Sequence, residues 1–223
     1  MTAGDEIARR LAALDSCAVS DALDKLGLAG CVTGLAPLST PRKIAGRVRT
    51  VKLVAKTAGP AAAGPPRHLG TTAIEAAEAG DIIVIEQCSG IDAGSWGGIL
   101  SLGAKMRGVA GVIADGPVRD VDEARGLDFP VYGRSATART ARDRIVEAGT
   151  DVPVRIGGIS VHPGDYALAD GSAVVFLASG DAARVVEAAE AIAGREAAMA
   201  EALRAGRRIT EVMGAAYEHM LKR

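Results

Sequence analysis

The segment Ala114-Asp115-Gly116-Pro117-Val118-Arg119-Asp120 sets a guanidinium directly beside one carboxylate and close to another. Arg119 can grip a carboxylate with two directed hydrogen bonds, and Asp120 can offer a hard oxygen ligand to Mg²⁺ or Mn²⁺. Asp115 can orient Arg119 or a metal-bound water. The segment follows the apolar run Val109–Ala114, which reads as a strand that Asp115 and Gly116 stop. Its polar groups would then lie beyond the carboxyl end of a strand, where α/β sheets gather ligands. A tight turn, with Asp115 as a cap and Arg119–Asp120 as a surface pair, suits the same residues. Spacing alone leaves both readings open.

A second segment, Asp92-Ala93-Gly94-Ser95-Trp96-Gly97-Gly98-Ile99-Leu100, is a glycine-rich helix start. Backbone N–H groups exposed there can cradle a carboxylate or a phosphate. The glycines match neither the Walker pattern nor the dinucleotide fingerprint, and Lys105 falls inside the helix, so nucleotide chemistry is unsupported. Close helix–sheet packing, with Trp96 covering a small-residue core, is the structural alternative. In Gly157–Gly171, His162 is a candidate acid or base without a partner nucleophile, and Asp165 and Asp170 suit loop caps. His68, beside the Pro-rich stretch, either lines an entrance or starts a helix. Cys17, Cys31 and Cys88 show no metal-ligand spacing and are expected to be small buried hydrophobes in a reduced compartment.

The elements that must position these groups alternate. Helices are predicted at Asp5–Leu14, at Asp21–Leu26 capped by Ser20 and stopped by Gly27, at His68–Glu78, at Ile99–Met106 and at Val121–Arg125. Strands are predicted at Gly46–Lys56, Ile82–Ile85, Val109–Ala114, Phe129–Tyr132, Val152–Ile159 and Ser172–Leu177, with Gly30–Pro41 as a loop. Gly59–Pro66 reads as a surface loop or flap inside one domain. After Asp181 the pattern is helical, with Gly194 and Gly206 as interruptions. This rhythm implies an α/β or layered mixed architecture.

Composition narrows the function classes. In 223 residues, 26 Lys and Arg face 27 Asp and Glu for a net charge of -1, which argues against a nucleic-acid grip. Apolar residues reach 48% but aromatics only 3%, so small aliphatic side chains must fill the core. Apolar runs fall short of the about 18 residues that cross a bilayer, and the N-terminal stretch is unlike a signal peptide. The expectation is a cytoplasmic protein with no membrane contact.

Taken in order, Trp96-Gly97-Gly98-Ile99-Leu100, Gly111 through Asp120 and Pro163 through Asp170 resemble the RraA-like family. That family includes class II 4-hydroxy-4-methyl-2-oxoglutarate aldolases and regulators of ribonuclease E activity. The similarity runs from about Ser20 to Glu190, and Phe129 through Arg134 resembles the family's next strand, with Gly133 in place of a common Ala. The resemblance implies an α-β-β-α sandwich with a swivelling-domain-like β/β/α core, formed by residues 1–223 as one domain. Helices at about 1–27 and a helical tail at about 181–223 would belong to it. It also implies a homotrimer or homohexamer with sites between subunits. By the same resemblance, Arg119 binds the pyruvyl part of a small 2-keto acid, Asp120 ligates Mg²⁺ or Mn²⁺, and backbone amides of Gly97, Gly98, Ile99 and Leu100 bind the carboxylate. The implied activity is a metal-dependent lyase of the aldolase and decarboxylase type. It would cleave 4-hydroxy-4-methyl-2-oxoglutarate to two pyruvates or decarboxylate oxaloacetate. The alternative is a noncatalytic oligomeric regulator or metabolite-binding protein working through protein contacts.

One position departs from the pattern. Gly98 stands where the aldolases tend to carry an acidic side chain that organises metal-bound water, so weak classical aldolase activity, or preference for a different small acid, is expected. Asp92 is the candidate substitute from the preceding loop. Glu187 or Glu190 is the candidate for the acidic group that the aldolases borrow from a neighbouring subunit.

Overall fold

The computed structural model describes residues 3–57 and 68–214. Gly59–Pro66 and the end of the tail fall outside the described residues. In chain order the elements are α1 (Ala3–Ala12), α2 (Ser16–Leu26), β1 (Cys31–Val32), β2 (Ala36–Pro37), β3 (Ile44–Ala55), α3 (Thr71–Ala76) and β4 (Ile82–Glu86). Then follow α4 (Gly98–Met106), β5 (Gly111–Val118), α5 (Val121–Gly126), β6 (Val131–Ala136), β7 (Ile145–Thr150) and β8 (Val154–Ile156). The chain continues through β9 (Ile159–Val161), β10 (Tyr166–Ala169), β11 (Val174–Leu177), α6 (Ala182–Arg204) and α7 (Ile209–Val212).

Strands β3, β4, β5 and β6 are parallel neighbours, whereas β10 and β11 join β3 in antiparallel register. Short β1 and β2 close the two ends, β7 pairs with β3, and β8–β9 form a separate hairpin. Alternate residues point to opposite faces of a strand. In β4, Ile83 and Ile85 pack in the layer with α3, α4 and α5, while Ile82 and Val84 turn inward. In β11, Val175 and Leu177 meet α1, α2 and α6, while Val174 and Phe176 turn inward to the same central cluster. The order of layers is therefore helix, strand, strand, helix: the α/β sandwich expected from the resemblance. With both strand faces covered, β4 and β11 read as continuous apolar runs.

Several boundaries differ from expectation, each for a local reason. The second helix starts at Ser16, because the Asp15 side chain accepts the Ala18 N–H at 2.8 Å, and Ser20 is interior. Gly27 does end it, at φ 67°. β5 runs on through Asp115 and Gly116 to Val118, with only a register shift against β6 between Ala114 and Pro117. Gly116 makes this possible, since a Cβ there would lie 2.8 Å from the Gln87 Cβ. Gly194 leaves α6 unbroken: burial of Val185, Val186, Ala189 and Ile192 outweighs the roughly 1 kcal/mol that an interior glycine costs. The predicted strand Val152–Ile159 is instead the β8–β9 hairpin, turning at Gly157 and Gly158. β7 and β10 went unpredicted. Among the described residues, no helix is long and apolar enough to cross a membrane.

Candidate active site

The site lies where β5 ends and two helices begin. The loop between β4 and α4 is stitched to the end of β5 by three hydrogen bonds. The Ser95 N–H and hydroxyl both donate to the Pro117 carbonyl at 2.8 Å, and the Arg119 N–H donates to the Trp96 carbonyl at 3.0 Å. Trp96, 2% exposed, donates its indole N–H to the Ser101 hydroxyl at 2.9 Å and so fixes the start of α4.

Glycines let side chains approach this start closely. A Cβ on Gly94 would lie 2.9 Å from Arg119 Cγ, and one on Gly97 would lie 2.8 Å from Asp120 Oδ2. Asp120 sits in the left-handed region at φ 56°, which Asp tolerates better than most residues. That turn sends its carboxylate back to α4. Oδ2 accepts the Gly98 N–H at 3.1 Å and Oδ1 accepts Arg119 Nε at 3.2 Å. Ile99 and Leu100, in the first turn of α4, have N–H groups without an intrahelical acceptor.

A cleft of about 160 Å³ gathers these groups. Its walls are His68 and Leu69, Gly94, Trp96 through Leu100, Arg119 and Asp120, and Thr140 and Ala141. Leu69 and His68 are held from behind, as the Gly70 N–H donates to Glu147 Oε2 at 2.7 Å. The structure thus brings Arg119, Asp120, Gly97, Gly98, Ile99 and Leu100 together, and it adds His68 and Thr140. His68 was one of two open readings from sequence. Thr140 offered no signal, because its position depends on how the chain after β6 folds back.

Other candidates lie elsewhere. Asp115, 6% exposed, faces the β8–β9 hairpin: it accepts Arg134 Nε and the Gly157 N–H, each at 2.6 Å, and the Cys88 thiol at 3.3 Å. Burial pushes its carboxyl up, but those three donors outweigh burial and hold it below the usual range. It neither lines the cleft nor orients Arg119. Asp92 forms an exposed ion pair with Arg139 at 3.2 Å. Glu190 is bound by Arg10 at 2.9 and 2.6 Å across α1 and α6, while Glu187 is exposed on α6. His162 and Asp165 form a turn, with Asp165 accepting the His162 N–H at 2.8 Å and the Ser179 N–H at 2.9 Å. Asp170 ties down the start of α2 through the Ser16 N–H and hydroxyl.

The cysteines correct an expectation. All three are exposed and unpaired. The Cys88 thiol is pushed up to about 11, first by its partial burial and then by the Asp115 charge, which keeps it protonated and unreactive.

Residues 16–176 match the family profile of RraA-like proteins, described as Aldolase/RraA. The chain belongs to the RraA-like family. Over 192 residues, 86% of its length, it is 28% identical to protein DlpA of Legionella pneumophila, and it spans about a third of that longer protein. It is 28% identical over 135 residues to a 4-hydroxy-4-methyl-2-oxoglutarate aldolase of Thermus thermophilus, covering 60% of this chain and 76% of the aldolase. Among solved structures, an uncharacterized Pseudomonas syringae protein superposes with a TM-score of 0.82 at 28% identity, covering 94% of this chain and 98% of the other. Streptomyces coelicolor RraAS2, described as an unusual member of the RNase ES inhibitor RraA family, superposes at 0.73 with 26% identity, covering 86% and 93%. The mixed sheet with flanking helices is the architecture this RraA-like chain shares with them.

Among the described residues, His, Cys, Asp and Glu side chains form no cluster of three that would cage an ion. A donor set of one or two carboxylates still fits Mg²⁺ or Mn²⁺, which keep several waters and take further oxygens from substrate. Asp120 meets that requirement at the mouth of a helix start.

Proposed function

We propose that this RraA-like chain is a divalent-metal-dependent lyase of the cytoplasm that cleaves a small 2-keto acid. The carrying observation is the convergence of the Arg119 guanidinium, the Asp120 carboxylate and the first-turn N–H groups of α4 in one small cleft. Arg119 commits only Nε to Asp120, so its two terminal nitrogens can hold a carboxylate or keto oxygen as a fork. The N–H groups of Ile99 and Leu100, at the positive end of α4, receive the substrate carboxylate. Asp120 holds the ion, which when bound polarises the 2-keto oxygen as a Lewis acid. Arg119 then balances the negative charge that develops as the carbon–carbon bond breaks.

The substrate class includes 4-hydroxy-4-methyl-2-oxoglutarate, giving two pyruvates, and oxaloacetate, giving pyruvate and carbon dioxide. The name of the Thermus thermophilus relative supports this choice. A homotrimer or homohexamer completes the cleft. With Glu190 occupied by Arg10, Glu187 is the better donor to a neighbouring copy. The test is pyruvate release from a panel of 2-keto acids with Mg²⁺ or Mn²⁺, together with sedimentation. Metal-dependent pyruvate from an oligomer is expected; release unaffected by chelator, or a fully active monomer, contradicts the reading.

One observation favours a second reading. Ile99, Leu102 and Met106 form an apolar stripe on α4, with Ile99 and Met106 about four-fifths exposed. A stripe of that kind beside the cleft suits protein contact, as in a regulator of the RraA type. Ligand binding without turnover, in the same assay, would select it.

A further inference from the structure

Aldol cleavage needs a group that takes a proton from a hydroxyl and returns one to carbon, and none of the roles assigned above supplies it. Four side chains of the cleft wall carry polar groups that can meet a ligand: His68, Arg119, Asp120 and Thr140. The indole N–H of Trp96 is spent on Ser101. Arg119 keeps its charge and gives up no proton. Asp120 already accepts two donors and is the ion's ligand in the reading above. A threonine hydroxyl binds but does not ionise at neutral pH. Imidazole is the one type among the four that takes up and releases a proton near neutrality.

The structure also fixes which ring nitrogen is available. His68 Nδ1 lies 3.2 Å from the Leu69 carbonyl oxygen. A carbonyl only accepts, so Nδ1 carries the hydrogen of that bond and Nε2 of the neutral ring presents a lone pair. Among the described residues no hydrogen bond or ion pair engages Nε2. The turn beneath the ring is anchored by its backbone. The Thr71 hydroxyl donates to the His68 carbonyl at 2.7 Å, and the Gly70 N–H donates to Glu147 Oε2 at 2.7 Å. Gly70, at φ 75°, lies so close to Trp96 that a Cβ would fall 3.1 Å from Cζ3. The same indole fixes the start of α4, so His68 and the first-turn N–H groups are placed against one side chain. None of these anchors uses the imidazole, which is exposed at the cleft.

We propose that His68 is the proton-carrying catalytic residue of the cleft, acting through Nε2. The proposal rests on the lyase reading and adds the group that moves the proton. With 4-hydroxy-4-methyl-2-oxoglutarate, Nε2 takes the C4 hydroxyl proton as the C3–C4 bond breaks. The oxygen's electron pair forms the new carbonyl of one pyruvate. The pair from the broken bond passes into the enolate of the other, whose charge Arg119 balances. The imidazolium then returns the proton to C3, so the ring ends neutral and no further reactant is consumed. With oxaloacetate the second half of this cycle suffices, and water supplies the proton through the same nitrogen.

The test follows kcat and KM for pyruvate release with Mg²⁺, and the exchange of pyruvate methyl protons in D₂O, which reports proton transfer at C3 without bond cleavage. H68Q keeps a hydrogen-bonding tip but carries no proton, and H68A removes the ring. H162Q alters an exposed histidine outside the cleft. Melting temperatures check folding. H68Q and H68A should each lose kcat and exchange about a hundredfold, the scale of one general acid–base group, with little change in KM. Added imidazole should restore part of both in H68A and nothing in H68Q, and H162Q should match the wild type. Retained kcat and exchange in a folded H68Q, a loss confined to KM, or an H68A that imidazole does not rescue would overturn the proposal and leave the lyase reading standing. Nitrogen NMR of the ring in the metal-free wild type gives a readout independent of turnover. A proton on Nδ1, with Nε2 bare and shifted by added pyruvate, is expected. The opposite tautomer, or a ring indifferent to pyruvate, would overturn the assignment even where the variants fail to fold. A wild type with neither exchange nor pyruvate release would overturn both readings together.

Discussion

Two Asp–Arg pairs arise from one stretch of chain, and they differ in what they leave unspent. Asp115 pairs with Arg134 at 2.6 Å and also accepts a backbone N–H and a thiol. Asp120 pairs with Arg119 at 3.2 Å, with the two side chains 29% and 38% exposed, and both open into a cleft. Arg134 spends a second nitrogen on the Thr33 carbonyl, whereas no partner among the described residues engages the terminal nitrogens of Arg119. A buried carboxylate gripped by three donors is a fastening, and a partly exposed one with two donors keeps capacity to bind. Residue type does not separate the two; the donors around each carboxylate do.

The largest expected effects lie at the open pair. R119K keeps the charge but loses the planar fork, and D120N keeps an acceptor for the Gly98 N–H but loses the anion. Each should lower metal-dependent pyruvate release about a hundredfold, the scale of removing one charge-stabilising group, with little change in melting temperature. D120N should also lose Mn²⁺ affinity. Turnover preserved in both folded variants would erase the distinction between the pairs.

The closed pair should fail in the opposite way. D115A leaves the half-buried Arg134 guanidinium and the Gly157 N–H without their acceptor, and it frees the β8–β9 hairpin from β5. Loss of about 2 kcal/mol is expected, read from the urea midpoint, because Asp115 is buried and its loss strands charged and backbone donors, while the third of Arg134 that is exposed lets water soften the cost. The folded fraction should keep its turnover. A stable D115A with lost activity would move Asp115 into the site.

Much of this contrast was legible in the sequence, though not its assignment. The apolar run, the helix start at Gly97–Gly98 and the segment ending in Arg119–Asp120 were readable because each is local: glycine at a close approach, polar groups after a strand. Asp115 was misplaced because its donors, Arg134 and Gly157, come from elements remote in sequence. β10 went unread because Tyr166–Ala169 is four residues long, with two alanines and no β-branched side chain, and sits between turn signals.

A smaller effect is expected behind the open pair. G94A places a methyl 2.9 Å from Arg119 Cγ and 3.0 Å from Cδ, so the arginine stem must shift while its charge remains. KM for the 2-keto acid should rise about tenfold, since modest misplacement of a positioning group is costly. G171A, where nothing lies within 4 Å of the added Cβ, is the control. Equal kinetics in both would show that Arg119 does not need its present path.

The smallest expected effect is one of pH, and it belongs to the closed pair. Asp115 titrates below its ordinary value in the folded chain because Arg134, the Gly157 N–H and the Cys88 thiol outweigh its burial. The unfolded chain therefore binds more protons at this position between the folded value and the ordinary 3.8. Stability rises with pH where the unfolded state holds the extra proton. The contribution of Asp115 is thus fully present above the ordinary carboxylate range and is lost as pH falls through the folded value. D115N retains the shape and one acceptor but cannot titrate, so its stability should fall less steeply on acidification than that of the wild type. Asp170, also held low despite burial by its bonds to Ser16, Ser172 and Ala173, acts equally in both proteins and cancels. Urea midpoints measured from neutral pH downward should therefore converge as the solution becomes acid. Parallel curves would mean that Asp115 keeps its proton affinity on folding, and the fastening would then be hydrogen bonding without a charge contribution.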